Sequence, residues 1–439
     1  VVTDPSEDTL IQLGLDIDNI RGASVNFSNN QKEEIYELCQ TMVQHIRSTP
    51  PELMEAVLDE YGLNTPEGRN LILLSEAFLR TPDTDTIYAL IQDKISNQNW
   101  SDHLGKARDT RVEGLTFALM LAQAVLNENR DGFLSKAGSY LGLIAKPIIS
   151  QFVDLGMKLV AKQFVIGQTI EEAISRSKTL IENGYKFSYD MLAEGAVTYQ
   201  EADTYFQAYK TAIRTVSQQC AFTNLNKNPE ISIKLSALHP RYEMTQKESV
   251  MKELVPKVIE LCKMAKESNM GITIDAEEQD RLPISLDVIE AVFNEESLNG
   301  WPGLGVVVQA FGKSSKKVID DLDSYCKKYD RKINIRLVKG AYRDYEIINA
   351  QNHGLPGFPV FGNKEATDVN FINMMEKIHK KKNITLRVAT HNAQTLATAL
   401  VMAKSKGVDL EVQRLQGMGE RVHQFIRDHN LAENRIYAP

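Results

Sequence analysis

The sequence of 439 residues predicts an α/β protein: a (β/α)8 TIM-like barrel preceded by an all-helical arm and scaffold. Three observations carry that expectation. Eight short apolar or alternating runs follow one another from about Phe187, amphipathic stretches long enough for right-handed crossovers separate them, and each run ends in polar residues. Polar strand ends are what the mouth of such a barrel needs, because its active site sits there.

Residues 1–30 show no clear period and are rich in turn formers such as Asn26, Ser28, Asn29 and Asn30, so they read as an N-terminal arm. From 31 to 165 the pattern is helical. Ile35, Leu38, Met42, Val43 and Ile46 recur at spacings of three and four, which places them on one helix face. Further helices are expected at 51–61, 69–79, 84–95 and 112–126, and Thr65-Pro66-Glu67 and Thr81-Pro82-Asp83-Thr84 are good helix starts. This region reads as a helical scaffold domain. Residues 166–439 then form the barrel, with strands in KFSYDML, ISIKLSA, GITIDAEE, GLGVVVQAF, INIRLVKGAY, ITLRVATHN, LEVQRLQG and NRIYAP. Helices are expected between them at 249–268, 286–293, 315–328, 367–380 and 394–406. The sequence stops at Pro439, directly after the eighth run, so the barrel lacks its eighth helix within this sequence, and that helix is expected to lie beyond it.

Composition removes several function classes. The 50 Lys and Arg against 58 Asp and Glu leave a net charge of -8, which argues against a broad basic face for nucleic acid. Four cysteines, Cys39, Cys220, Cys262 and Cys326, stand far apart with no C-x-x-C pair, so neither a disulfide framework nor a zinc site is expected and a reducing cytoplasm is the simplest compartment. The longest apolar run, 115–126, falls short of the roughly 20 residues a spanning helix needs. The first residue is Val, and a longer parent protein is expected.

The strand ends supply Asp190, Lys234, Asp275 with Glu277 and Glu278, Gln309, Arg336 with Lys339, Thr390 with His391 and Asn392, Gln413 with Arg414, and Tyr437. Any one of these alone reads as a salt bridge or cap, but polar groups at all eight ends would be costly to bury without partners. No G-x-G-x-x-G follows a strand, Gly417-Met418-Gly419 being only a partial imitation, and no P-loop or H-E-x-x-H occurs. The histidines are scattered, so no metal site is expected. Ser236 and His239 lack a visible third group for nucleophilic catalysis, and a glycosidase reading of Glu277 lacks a tryptophan at the mouth. The cations and amides that remain suit an extended ligand carrying phosphates and a polar heterocycle. Lys339, Arg343, Lys364 and Arg414 could meet a pyrophosphate, and Arg336 could stabilise negative charge on a reduced ring.

These residues resemble a known family. ISIKLSALHPRY (231–242), ITIDAEEQDRL (272–282), VVVQAF (306–311), IRLVKGAYRDYEI (335–347), FPVFGNKEATDVN (358–370), ATHN (389–392), QRLQGMGE (413–420) and RIYAP (435–439) are similar to the proline dehydrogenase barrel. FLRTPDTDTIYALIQDKISNQNWSDHLG and QFVIGQTIEEAISRSKTLIENGYKFSYDML resemble the arm and helical domains of the bifunctional bacterial proline utilization A enzymes. The resemblance runs from about residue 70 to the last and implies an FAD enzyme that oxidises L-proline to Δ1-pyrroline-5-carboxylate by hydride transfer from C5 to flavin N5. Electrons would pass to a membrane quinone. It further implies a cytoplasmic chain with peripheral association on the inner face of the membrane, a fused aldehyde dehydrogenase half outside this sequence, and no nucleic-acid function here.

Carried over by position, the resemblance puts Arg336 against flavin N5, Lys234 and Asp275 beside the proline site, Leu415 and Tyr437 on the proline ring, and Tyr342 near the mouth. Asp275, Gln309, Val338, Lys339, Gly340, Ala341, Lys364, Thr367, Thr390, His391, Asn392, Gln413 and Arg414 would hold FAD. Arg343 stands where the family usually has an adenine-stacking Trp, so the adenine end is expected to be held differently. Gln416 stands where the family has His. The family's eighth helix supplies two arginines for the proline carboxylate and a Glu near the flavin; a barrel without it would bind substrate poorly. The competing readings are another flavin barrel of the methylenetetrahydrofolate reductase kind, a non-catalytic scaffold and a DNA-binding regulator.

Overall fold

Eight parallel strands close into one barrel in sequence order: β1 (Lys186–Asp190), β2 (Glu230–Ile233), β3 (Gly271–Ile274), β4 (Leu304–Gln309), β5 (Ile333–Val338), β6 (Ile384–Ala389), β7 (Glu411–Leu415) and β8 (Glu433–Ala438). The barrel shuts where β8 pairs with β1, with Ile436 beside Phe187 and Tyr437 beside Ser188. The computed structural model describes residues 25–49, 60–61, 65, 67, 70, 93–94, 98–106, 112–116, 119–120 and 164–439. All eight expected strands are present.

The alternation in β5 shows how sequence becomes barrel. Ile333, Ile335 and Leu337 are fully buried on the outer face, beneath the helix ring. Arg336, between them, points inward and meets Ser188 on β1, Glu230 and Ser232 on β2, and Gln413 on β7. Apolar residues therefore face the helices, and the barrel interior is charged. Glu230 lies 2.6 Å from Arg387, and Glu411 lies 2.9 Å from Arg435. Burial pushes the Glu230 carboxyl up, but Arg387, Arg435 and Arg336 outweigh it and hold it down at about 2. A buried charge network of this kind persists only because every member is paired.

The helices Tyr199–Ser217, Lys247–Glu267, Leu282–Phe293, Ser315–Lys328, Ala393–Lys406 and Glu420–Asp428 follow β1, β2, β3, β4, β6 and β7. β5 is followed by two, Arg343–Asn352 and Lys364–His379. The first of these gave no sequence signal, because it buries only Glu346 and Ala350 and so carries almost no apolar stripe. The helix Ala393–Lys406 starts at Asn392, whose side chain accepts from the Thr395 backbone N–H, and ends on Gly407 in the left-handed region.

The division into domains needs one correction. The chain forms two compact units, Val1–Arg47 with Gly167–Pro439, and Ser48–Ile166. The helix Asn29–Ser48, expected in the scaffold, groups with the barrel: Glu34 pairs with Lys404 at 2.5 Å, the Arg421 guanidinium donates to the Ile46 carbonyl, and the His45 and Phe425 rings lie 5.4 Å apart. Its apolar face had to be buried somewhere, and periodicity cannot say against what. In the second unit the fully buried Tyr61 lies against Trp100 and His103, at 5.7 and 4.6 Å between ring centroids. The helices expected at 51–61, 69–79, 84–95 and 112–126 fall largely outside the described residues. Among the described residues no helix is long and apolar enough to cross a membrane, and no three His, Cys, Asp or Glu side chains gather as for a metal.

Candidate active site

A cavity of about 510 Å³ opens at the C-terminal end of the strands. It is lined by Lys234, Asp275, Gln309, Arg336, Val338, Lys339, Gly340, Ala341, Tyr342, Lys364, Thr390, His391, Asn392, Gln413, Arg414, Leu415 and Tyr437, with Ala276, Val307 and Ala389 between them. Of the residues singled out from the sequence, Asp190, Glu277, Glu278, Arg343 and Thr367 do not line it. Arg343 caps the wrong direction for a stacking role: its guanidinium donates to the Gly362 carbonyl and sits 3.6 Å from Asp344. Thr367 is buried in the helix Lys364–His379, and its hydroxyl donates to the Asn363 carbonyl.

The floor is an ordered set of charges. Arg336 uses all five of its N–H donors: Nε to Gln413 at 2.6 Å, one terminal nitrogen to Asp275 at 2.9 Å and Ser232 at 3.1 Å, the other to Ser188 at 2.8 Å and Glu230 at 3.2 Å. What it offers the cavity is therefore charge rather than free hydrogen bonds. The Tyr437 ring lies 5.0 Å from that guanidinium, and its hydroxyl donates to Asp275 Oδ2 at 2.8 Å. Burial and the carboxylates of Asp275 and Asp190 raise the Tyr437 phenol well above its usual range, so it stays protonated. Lys234 Nζ lies 3.3 Å from Asp275 and from Tyr437. Burial pulls its ammonium down, but Asp275 and Asp190 outweigh this and hold it above the usual lysine range, so Lys234 is a fixed cation and not a base.

The wall holds amides and cations. Gln309 is locked by its own amide, which donates to the Glu277 carbonyl at 2.9 Å while Oε1 accepts from the Ala341 N–H at 3.4 Å. Glu277 is thereby a structural group: it accepts from the Ser236 N–H at 3.1 Å and from Arg281 at 3.0 Å. Lys339 pairs with Asp368 at 2.5 Å. Arg414 turns toward Glu420 at 3.2 Å and the Tyr185 ring at 5.4 Å. His391 Nε2 accepts from the Leu415 N–H at 3.0 Å, which fixes it neutral, and burial with the Arg414 charge lowers it to about 4. Tyr342 reaches Glu194 across the mouth at 3.3 Å.

Two glycines are demanded by shape. Gly340 has φ +127°, and a Cβ there would stand 2.5 Å from the Phe311 ring. Gly419 has φ +65°, and a Cβ there would meet His391 at 2.8 Å. The sequence reading missed Ser188 and Ser232, which carry Arg336, and left Asp190 without a role. Their signal was the inward parity of β1 and β2, which place Ser188 and Asp190, and Ser232 and Lys234, two residues apart on one face.

The family model described as proline dehydrogenase matches residues 173–439, and one described as the DNA-binding domain of proline dehydrogenase matches 53–164. The chain is 39% identical over 421 residues to the bifunctional protein PutA of Klebsiella aerogenes, covering 93% of this chain and 32% of that protein. It is 40% identical over 396 residues to PutA of Escherichia coli, covering 88% of this chain and 30% of that protein. The solved structure of a Bradyrhizobium japonicum proline utilization A mutant superposes with a TM-score of 0.72 at 37% identity, covering 99% of this chain and 43% of that one. The chain spans about a third of the length of the curated relatives it matches. With the family match running through every strand of the barrel and every lining residue of its cavity, the chain belongs to the proline dehydrogenase family.

Proposed function

We propose that this chain oxidises L-proline to Δ1-pyrroline-5-carboxylate with FAD as its resident cofactor and a membrane quinone as the final electron acceptor. The observation that carries the reading is the cavity at the barrel mouth, where a fixed Arg–Asp–Tyr–Lys floor lies under a wall of amides and lysines. The donor set fits the cofactor. Lys339 and Lys364 would supply cations for a diphosphate, and the Gln309, Gln413 and Asn392 side chains that line the cavity are held in place by Ala341, Arg336 and Thr395. When bound, the flavin supplies the acceptor for the hydride that leaves C5 of proline.

The residues of the chain do the rest. Arg336 and Lys234 keep positive charge beneath the ring-binding region, which favours a ligand that gains negative charge. Asp275 and the Tyr437 hydroxyl form the polar edge nearest those cations, suited to the proline nitrogen, which must lose a proton as C5 loses a hydride. Leu415, at the rim, and the Tyr437 ring give apolar area for the pyrrolidine carbons. The fused aldehyde dehydrogenase half and peripheral association with the inner face of the membrane belong to the same reading, and the relatives' description as bifunctional supports the first of these.

The test is direct. Purified chain reconstituted with FAD should show a flavin spectrum, bleach on adding L-proline and reduce a dye in its presence. A chain that takes up no flavin, or whose flavin is bleached by reduced nicotinamide and not by proline, overturns the proposal. The second outcome would favour the reductase-like barrel.

A further inference from the structure

Asp190 ends β1 with only 6% of its surface exposed and does not line the cavity, yet both its oxygens face a residue that does. Oδ1 and Oδ2 lie 3.1 and 3.2 Å from Lys234 Nζ, closer than the 3.3 Å to Asp275. The ammonium has three protons, and Asp190, Asp275 and the Tyr437 oxygen surround it. Two carboxylates thus compete for one ammonium. If Lys234 swung wholly to Asp275, it would crowd the oxygen that Tyr437 uses and weaken the contact with Arg336.

We propose that Asp190 is the positioning residue of this site: it holds the ammonium of Lys234 from below, keeps it protonated, and so leaves Asp275 to Arg336 and Tyr437. The proposal deepens the reading of the cavity as a proline-oxidising site and rests on it for the catalytic consequence, but the ion-pair geometry stands without it. The groups that face Asp190 come from five elements. Lys234 follows β2, Asp275 follows β3, Tyr437 is on β8, Arg336 is on β5 behind Asp275, and Tyr209, on the helix Tyr199–Ser217, holds the Lys234 backbone N–H at 3.2 Å. Burial pushes the Asp190 carboxyl up to about 6 against the pull of Lys234, so at neutral pH the pair is charged, and losing Asp190 strips Lys234 of its nearest counter-ion. Lys234 would then fall back toward the ordinary lysine range under its own desolvation.

The test reads the lysine itself. Reductive methylation of the purified chain at about pH 9, mapped by peptide mass spectrometry, gives the rate of labelling at Lys234. Asp190→Asn should raise that rate about tenfold or more, with exposed lysines such as Lys382 unchanged, and Asp190→Glu should restore it. Equal rates in wild type and Asp190→Asn overturn the proposal. Should Asp190→Asn fail to fold, the carboxyl carbon of Asp190 is followed by NMR in wild type and Lys234→Met. An upward shift of its titration in Lys234→Met supports the pairing, and an unmoved titration overturns it. Proline turnover is read separately. A pH profile of kcat/KM that changes shape in Asp190→Asn links the pair to catalysis, while absence of turnover in wild type condemns the functional reading and leaves the labelling result standing.

Discussion

Replacing Arg336 with Met isolates the contribution of the guanidinium at the base of the cavity. Methionine fills most of the same volume and removes five hydrogen bonds made at 2.6–3.2 Å. Removing one partner of a buried ion pair costs about 3–5 kcal/mol, because the other charge is left desolvated. Both carboxylates keep a second cation, Glu230 at 2.6 Å from Arg387 and Asp275 at 3.3 Å from Lys234, so the lower end, about 3 kcal/mol, is expected. For a unit of more than 300 residues that is a fall in Tm of about 4–5 °C. The control is Lys339→Met, whose partner Asp368 is partly exposed and whose loss should cost under about 1 kcal/mol. Thermal melts followed by circular dichroism compare the two, and flavin reduction by proline is measured on the same samples. Arg336→Met that melts with wild type refutes the account of the floor. A stable Arg336→Met that also keeps full turnover makes the floor a scaffold feature.

Three further outcomes follow from the geometry. His423 is buried between the Thr390 carbonyl and Asn434, and burial lowers it to about 4 from 6.5. The unfolded chain therefore binds more protons between those values, so its contribution to stability is present above pH 6.5 and is lost as pH falls to 4, at up to about 3 kcal/mol. Urea midpoints at pH 7 and 4 should show the deficit of His423→Gln shrinking by about that amount; parallel pH curves would exclude it. Gly340→Ala forces a Cβ to within 2.5 Å of Phe311 at φ +127°, which should cost about 2–4 kcal/mol and depress flavin uptake, read by melting and by flavin titration. On filters the chain should retain no DNA in a salt-dependent way, given its net charge of -8; retention that falls steeply with salt would instead favour the DNA-binding description matched over 53–164.

The barrel was legible because its strands carry two independent signals. Ile333, Ile335 and Leu337 mark the outer face by period two, and Arg336 and Val338 between them mark the inner face and the mouth. Most of the cavity lining could be read as strand-end residues for the same reason. Arg343 could not, since a side chain at a helix start has several directions open and only the position of the Gly362 carbonyl chose one. The helix Arg343–Asn352 was silent because it buries little, and the helix Asn29–Ser48 was assigned to the wrong unit because an apolar stripe does not name its partner.

What the sequence by itself determined was the count, order and polarity of the strands, since alternation and strand-end chemistry are local properties of the chain. The tertiary structure alone decided which charges meet. Ser188, Glu230, Ser232, Asp275 and Gln413 are brought to one guanidinium from four other strands or strand ends, and Asp190 is set under Lys234, by the stagger of a closed barrel. Pairing across a barrel depends on that register, and no spacing along the chain records it.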